Sequence, residues 1–240
     1  MSAGGPVVLV HGFLGGPEDF APLRSCLPGT GFLAVDLLEF RGRDVASLAA
    51  ELANLVRDAR ARAIVGYSLG GRVALALAAS GRESGATCVA VSAHPGLEDP
   101  AERDRRAADD DRLADRLRRD GLAAFVDRWY AQPLFATLRE HPDFPLIRDR
   151  RRRGDPAAWA DLLAGGSPGR TEPTWTALPG LGDRLVAIAG ERDAKYRDLA
   201  GEIGRRAPRA RIHVIPGAGH AVHLERPDAL AAVLGPILRG

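Results

Sequence analysis

Residues 64–72 read I-V-G-Y-S-L-G-G-R, a short apolar run that enters the pattern G-x-S-x-G just before an Ala/Leu-rich segment. This pattern predicts a sharp turn between a strand and a helix, with Ser68 at the turn and its hydroxyl accessible to a base. Gly66 and Gly70 leave room for the neighbouring strand and helix. The first N–H groups of the helix favour negative charge near Ser68. The alternative is an ordinary turn with a solvated serine.

Short apolar runs rich in β-branched residues alternate with helical patterns along the chain, which predicts an α/β fold: a mostly parallel sheet with helices on both faces. The predicted buried strands are residues 7–10, 32–36, 63–65, 88–92, 185–189 and 211–215. The predicted helices are residues 44–60, 70–80, 195–206 and 227–238.

The strand pattern disappears between about residues 96 and 180, where Arg, Asp, Ala and Leu recur at helical spacing. We expect residues 97–179 to form a helical cap, or lid, inserted after the fourth strand. Residues 1–96 and 180–240 would then form the core. Ligands of open α/β sheets bind outside the carboxyl ends of the strands, so this cap would cover Ser68.

Composition excludes several classes of function. The net charge of +2 is too close to neutral to indicate binding to nucleic acid or to a membrane surface. Lys195 is the only lysine. Cys26 and Cys88 have no metal-binding or redox spacing, which fits a reducing cytoplasm. We expect no signal peptide and no membrane insertion, since the N-terminus lacks a charged region and an apolar run. A monomer and a homo-oligomer both remain open.

Asp193 and His220 each lie shortly after a predicted strand, as Ser68 does. Glycines in G-A-G-H at residues 217–220 permit a tight loop that returns His220 over Ser68. The order Ser68, Asp193, His220 is that of the α/β-hydrolase arrangement. In this arrangement His220 takes the Ser68 proton, and Asp193 orients the imidazole and stabilises its charged form.

The loop V-H-G-F at residues 10–13 follows the first predicted strand. In a serine hydrolase this position supplies a backbone N–H to an oxyanion hole. We expect the two donors to be the N–H groups of Phe13 and Leu69. His11 is interpreted as a structural residue that holds the loop, with a role as base as the alternative.

Each catalytic candidate has a rival. Glu191 competes with Asp193 as the acid, although it follows its strand directly. Asp193 could also be the N-cap of the next helix, a role compatible with catalysis. His223 competes with His220, but it begins to enter a helix.

Arg72 lies in the first turn of the helix after Ser68. Burying a guanidinium without a partner is costly, and a carboxylate satisfies it with paired hydrogen bonds. Arg72 therefore indicates an anionic substrate, or else a structural ion pair with a carboxylate of the cap.

The expected cap contains further cations and an aromatic pair. Its candidate arginines are Arg103, Arg105, Arg106 and the cluster at residues 148–153, whose default interpretation is a solvated helix end. Trp129 and Tyr130 could give a cap helix an aromatic face toward the pocket. Packing of Trp129 between cap and core is the alternative.

Five segments together resemble the 2-succinyl-6-hydroxy-2,4-cyclohexadiene-1-carboxylate synthases of menaquinone biosynthesis. They are residues 66–72 (G-Y-S-L-G-G-R), 94–97 (H-P-G-L), 129–135 (W-Y-A-Q-P-L-F), 190–196 (G-E-R-D-A-K-Y) and 218–220 (A-G-H). The resemblance implies a lyase on an α/β-hydrolase scaffold. It would eliminate pyruvate from a small polycarboxylate without metal or cofactor, with the serine acting as a base.

The resemblance also implies roles for ten residues. Ser68, Asp193 and His220 correspond to the catalytic triad, and Phe13 and Leu69 to the oxyanion-hole donors. The implied substrate-binding residues are Tyr67, Arg72, Arg106, Trp129 and Arg151. Arg106 is assigned by its spacing after H-P-G-L, and Arg151 by its spacing before the next predicted helix.

Residues 36–42 read D-L-L-E-F-R-G where this family has D-L-P-G-H-G, and the segment after Arg153 lacks the family's asparagines. These departures leave two alternatives for one pocket wall, the family's shape or a reshaped wall that would take a different substrate. Two other functions compete with the lyase: a serine hydrolase of carboxylic esters or carbon–carbon bonds, and a binding module without catalysis. Arg72 and the cap arginines favour the lyase over the hydrolase, and the intact triad disfavours the binding module.

Overall fold

The structure is a computed structural model that describes residues 4–82 and 85–239. The expectation about the N-terminus falls partly on residues 1–3, which lie outside the described residues. The strands are β1 (Val7–Val10), β2 (Phe32–Val35), β3 (Ala63–Tyr67), β4 (Thr87–Val91), β5 (Leu185–Gly190) and β6 (Arg211–Ile215).

Eleven α-helices are described between and after these strands. They are α1 (Ala21–Ser25), α2 (Val45–Asp58), α3 (Leu69–Ala79), α4 (Pro100–Tyr130), α5 (Ala136–Arg139), α6 (Phe144–Arg151), α7 (Pro156–Gly165), α8 (Leu178–Leu181), α9 (Ala194–Arg206), α10 (Val222–Glu225) and α11 (Pro227–Arg239). Short 3₁₀ helices span Pro17–Phe20, Pro133–Phe135 and Gly182–Arg184. Every predicted strand and helix is present, with ends that differ by at most two residues.

All strand pairs are parallel, and the order across the sheet is β2-β1-β3-β4-β5-β6. Every residue of β1, β3 and β5 is buried. Because successive side chains point to opposite faces, complete burial means that both faces of these central strands are covered. The predicted α/β fold class is therefore confirmed.

The prediction that all six strands are buried is wrong for β2 and β6, which lie at the two edges of the sheet. Leu33 in β2 is 37% exposed and Val214 in β6 is 43% exposed. An edge strand has a neighbour on one side only, so its apolar pattern does not ensure cover on both faces.

The helices around the sheet are amphipathic. In α2 the buried residues recur at helical spacing: Val45, Leu48, Ala49, Leu52, Ala53 and Val56. This face packs on α3, which packs on β1, β3 and β4, and α9 packs on β5 and β6. A second group joins α1, α10 and α11, and α11 also contacts β6.

The chain between β4 and β5 contains α4 to α8 and no strand, in a stretch that the structure describes throughout. Gly121 interrupts α4 with φ 77° and ψ 168°, a conformation that glycine adopts without steric cost, and it divides the helix into two segments. Helix α7 packs along α4, while α8 contacts α3 and α9. Within the described residues, no helix is both long enough and apolar enough to cross a membrane.

The turn from β3 to α3 packs directly on the end of β1. A Cβ atom at Gly70 would lie 2.2 Å from the carbonyl oxygen of Val10 and 2.5 Å from that of His11. A Cβ atom at Gly66 would lie 2.3 Å from the carbonyl oxygen of Gly70. Both glycines are therefore required by the approach of backbone to backbone.

We predict that Gly70→Ala lowers the free energy of unfolding by about 3 kcal/mol or more, since the obstructing atoms belong to backbone that cannot rotate away. Gly180→Ala is the matched control, because a Cβ atom there meets nothing within 4 Å. Urea denaturation of both variants measures the difference. Equal unfolding midpoints would show that the turn can separate from β1.

Candidate active site

The Ser68 residue occupies the turn between β3 and α3 with φ 51° and ψ −108°. A positive φ is uncommon for a residue with a side chain, and it costs of the order of 1–3 kcal/mol. The Ser68 N–H donates to the carbonyl of Val91 at 2.9 Å, and the Ser68 carbonyl accepts from the Arg72 N–H at 3.0 Å. These bonds and the glycine contacts hold the turn, so the Ser68 side chain lines a cavity.

The loops after β5 and β6 bring Asp193 and His220 to Ser68. Asp193 Oδ2 lies 2.7 Å from His220 Nδ1, and His220 Nε2 lies 3.4 Å from Ser68 Oγ. A carboxylate can only accept, so it assigns the proton to Nδ1 and leaves Nε2 free to accept from the serine hydroxyl. His220 and Asp193 are buried, which strengthens the hydrogen bond between them.

The rival acid is placed elsewhere. Glu191 is exposed and accepts a hydrogen bond from the Gly217 N–H at 2.9 Å. Asp193 also accepts from the Tyr196 N–H at 3.3 Å, and so caps the N-terminus of α9. The two expected roles of Asp193 are therefore compatible.

The rival histidine is buried. His223 is 0% exposed in α10, and its ring packs 4.2 Å from the Tyr67 ring and 5.0 Å from the Phe20 ring, centroid to centroid. Neither of its nitrogens has a hydrogen-bond partner among the described residues. Burial lowers the pKa of His223 to about 3, so the imidazole is neutral.

The loop after β1 lies against the Ser68 turn. A Cβ atom at Gly12 would lie 2.8 Å from the Tyr67 ring and 3.3 Å from Ser68 Cβ. The N–H groups of Phe13 and Leu69 make no hydrogen bond within the described part of the chain. Free N–H groups beside a nucleophile are what an oxyanion hole requires.

His11 holds this loop, as the structural interpretation expects. Its ring is fully buried, with Nδ1 2.8 Å from the Gly12 carbonyl oxygen and Nε2 accepting from the Leu37 N–H at 3.0 Å. The cavity is lined by none of residues 36–42, all of which the structure describes. Of the two alternatives for this loop, the structure favours the one in which it does not form a pocket wall, because the Leu37 N–H lies against His11 Nε2 instead.

The cavity beside Ser68 has a volume of about 190 Å³. Its lining includes nine of the ten residues to which the resemblance assigns roles, and the tenth, Asp193, lies behind His220. The nine are Phe13, Tyr67, Ser68, Leu69, Arg72, Arg106, Trp129, Arg151 and His220. The β4–β5 insertion thus contributes side chains to the same cavity as the turn.

The arginines of the cavity differ in their partners. Arg106 Nε pairs with Asp110 Oδ2 at 2.9 Å. Arg151 is buried, donates to the Tyr130 hydroxyl, and pairs with Asp19 Oδ2 at 2.7 Å. Burial alone would raise the pKa of Asp19, but the charges of Arg151 and Arg150 hold it below its usual value.

Arg72 has no carboxylate within 4.0 Å among the described residues, and its guanidinium donates instead to the Gly166 carbonyl. The alternative of a structural ion pair with the cap is therefore wrong. Burial lowers the pKa of Arg72 to about 10. Arg103 pairs with Glu172 and Arg105 is exposed, so neither joins the cavity.

Trp129 lines the cavity and also packs against other aromatic rings, so a pocket role and a packing role are both compatible with its position. Its ring stacks on Phe125 at 5.8 Å and meets the edge of Phe13 at 5.1 Å. The contact with Phe13 connects the β4–β5 insertion to the loop after β1.

Several cavity residues were missed by the sequence reasoning, among them Asp110, Gln132, Phe135, Lys195 and Tyr196. The rings of Tyr196 and Phe135 pack on His220 at 4.6 and 5.8 Å. Most of these residues lie in the segments W-Y-A-Q-P-L-F and D-A-K-Y. Both segments carry the family resemblance, and this was the one signal in the sequence that pointed to them. Among the described residues, no group of three or more His, Cys, Asp or Glu side chains could hold a metal ion.

We predict that His223 makes the protein less stable in mild acid. The unfolded chain binds a proton at this residue below about pH 6.5, whereas the buried imidazole does not. The free energy of unfolding should therefore fall as the pH drops from about 6.5 to 4, with a contribution approaching about 1.4 kcal/mol per pH unit. Urea titrations at several pH values measure the slope, and His223→Leu should reduce it. An unchanged slope in the variant would contradict this origin.

The alpha/beta hydrolase family model matches residues 7–233. The chain is 34% identical over 242 residues to the 2-succinyl-6-hydroxy-2,4-cyclohexadiene-1-carboxylate synthase of Salmonella paratyphi C (strain RKS4594), covering 97% of this chain and 93% of the relative. It is also 34% identical over 253 residues to the chloroplastic protein PHYLLO of Arabidopsis thaliana. That match covers 93% of this chain but only 15% of PHYLLO.

Solved structures agree on the fold. The structure of MenH from S. aureus superposes with a TM-score of 0.86 at 24% sequence identity, covering 98% of this chain and 93% of that one. The chain therefore belongs to the alpha/beta hydrolase family and, within it, to the family of 2-succinyl-6-hydroxy-2,4-cyclohexadiene-1-carboxylate synthases.

Proposed function

We propose that the chain is a lyase of menaquinone biosynthesis. It eliminates pyruvate from 2-succinyl-5-enolpyruvyl-6-hydroxy-3-cyclohexene-1-carboxylate and leaves 2-succinyl-6-hydroxy-2,4-cyclohexadiene-1-carboxylate. Membership of the synthase family supports this reaction. The observation that carries the proposal is that Arg72 lines the Ser68 cavity without a carboxylate partner among the described residues, because a polycarboxylate substrate supplies the missing charge.

In this proposal Ser68, His220 and Asp193 form the catalytic triad. His220 Nε2 accepts the hydroxyl proton, and Ser68 Oγ removes the ring proton on the carbon that bears the succinyl group. This C–H bond is next to a carbonyl, so the electrons move into an enolate oxygen. The N–H groups of Phe13 and Leu69 donate to that oxygen.

The electrons of the enolate then move back through the ring. The new double bond forms at the succinyl-bearing carbon, the existing ring double bond shifts by one position, and the bond to the enolpyruvyl oxygen breaks. The proton taken from the ring returns through His220 to the departing enolpyruvate, which becomes pyruvate. No net oxidation occurs and no water is consumed, so the triad acts as an acid–base device throughout.

Residues 97–179 form the cap over a core of residues 1–96 and 180–240, and the protein works in the cytoplasm. Tyr67, Arg72, Arg106, Trp129 and Arg151 bind the substrate. Arg106 and Arg151 carry partners of their own, so their net attraction for the substrate is smaller than that of Arg72.

We predict that the purified protein releases pyruvate from the enolpyruvyl-cyclohexene acid far faster than it cleaves an aromatic acetate ester. A coupled lactate dehydrogenase assay follows pyruvate, and absorbance of the released phenol follows the ester. The reverse ranking would replace the lyase by a serine hydrolase on the same triad. Absence of both activities would favour a binding module.

We predict that Ser68→Ala and His220→Ala each lower kcat of pyruvate release by about 10³-fold or more, and that the double variant loses little beyond either one. This non-additivity is expected because the two side chains move one proton together. Ser80→Ala, at the far end of α3, is the matched control and should retain full activity. Independent, additive losses would argue against a shared proton relay.

A further inference from the structure

Four cationic side chains line the cavity: Arg72, Arg106, Arg151 and Lys195. Asp110 pairs with Arg106, and Asp19 pairs with Arg151. Lys195 resembles Arg72 in having no carboxylate oxygen within 4.0 Å in the described part of the chain. Its recorded contact is with the Tyr196 ring, 5.6 Å from the centroid. Two of the four cations therefore have no carboxylate partner among the described residues.

The position of Lys195 is electrostatically unfavourable for a purely structural lysine. It is the second residue of α9, where the partial positive charge of the helix N-terminus disfavours cations. Partial desolvation at the cavity lowers the pKa of Lys195, and the charge of Arg106 lowers it further. A bound carboxylate would relieve this repulsion between Lys195 and Arg106.

The chemistry of lysine also suits this position. The chain has 33 basic residues of the Lys and Arg types, and Lys195 is the only lysine among them. An ammonium on a flexible stem can follow a carboxylate at the exposed side of a cavity, whereas a guanidinium forms a rigid planar fork. Lys195 is exposed at the cavity, while Arg72 is only partly exposed, one turn of helix from Ser68.

We propose that Lys195 is a substrate-binding residue that takes one carboxylate of the substrate at the exposed side of the cavity, while Arg72 takes another beside Ser68. The assignment rests on the proposed lyase function. Two separated cations without partners select a substrate with at least two carboxylates. The same two cations contribute little to the binding of a neutral ester, which has no negative charge to pair with them.

Kinetics of pyruvate release test the role of Lys195. Lys195→Met should raise KM by about 10-fold with a much smaller change in kcat, since it removes a charge-assisted hydrogen bond made before the chemical step. Lys195→Arg should recover most of the loss because it restores the charge. Arg192→Met is the matched control: it removes the same charge three residues earlier, in the loop before α9, where Arg192 is exposed, faces Glu140 and lies outside the cavity lining.

Chemical protection gives a readout independent of turnover. Lys195 carries the only side-chain amine, so its acetylation by acetic anhydride can be followed in one peptide by mass spectrometry. The probe is the diene product, 2-succinyl-6-hydroxy-2,4-cyclohexadiene-1-carboxylate. At about ten times its Kd it should slow acetylation by about 10-fold, because only unbound protein reacts.

The proposal is overturned if Lys195→Met and Arg192→Met have equal KM values, or if saturating product leaves acetylation of Lys195 unchanged. Urea unfolding of Lys195→Met checks that the fold is retained, and Lys195→Arg provides the test if it is not. Failure of the lyase function has a different result, since wild-type protein would then release no pyruvate.

Discussion

The packing of the β3–α3 turn against the end of β1 determines the geometry of the whole site. Ser68 is held at a positive φ, and the atoms that hold it are backbone atoms of Val10, His11 and Gly70. Backbone cannot change rotamer, so this contact is rigid in a way that side-chain packing is not. The same contact brings the loop after β1 beside Ser68. The sheet order places β1 beside β3, where the chain switches direction across the sheet, and such a point forms a crevice for ligands.

A second level of organisation is electrostatic and joins the core to the β4–β5 insertion. Asp19 is 1% exposed and accepts from the Gly16 N–H at 3.2 Å while it pairs with Arg151 and Arg150. The loop after β1 and helix α6 are thus joined through one buried carboxylate. Removing one partner of such a pair typically costs about 3–5 kcal/mol, because the other charge is left buried. Arg151 therefore contributes to the position of the insertion as well as to the cavity.

The partners of the cavity cations set what the site can recognise. Arg106 and Arg151 have carboxylates of the protein beside them, so their positive charges are largely neutralised by Asp110 and Asp19. Arg72 meets a carbonyl oxygen, and Lys195 meets an aromatic ring. The cations without a carboxylate partner among the described residues thus lie at these two positions, on α3 and α9. The aromatic walls of the cavity are formed by Trp129, Phe135 and Tyr196. Aromatic walls beside two cations that lack carboxylate partners suit an acidic ring compound better than a neutral lipid.

The strands, the helices and the three catalytic candidates could be predicted from the amino-acid sequence alone, because each depends on a local sequence pattern. Apolar periodicity identified the strands and helices, and the glycines around Ser68, with Asp193 and His220 after later strands, indicated three groups that converge at one edge of a parallel sheet. The exposure of β2 and β6, the distance of residues 36–42 from the cavity and the burial of His223 were decided only by tertiary structure. The same is true of the contrast between paired and unpaired cations, since Asp19 and Arg151 are 132 positions apart in the chain. Contacts between such distant residues leave no periodic trace in the sequence, and only the folded chain determines which charge is neutralised and which remains for a ligand.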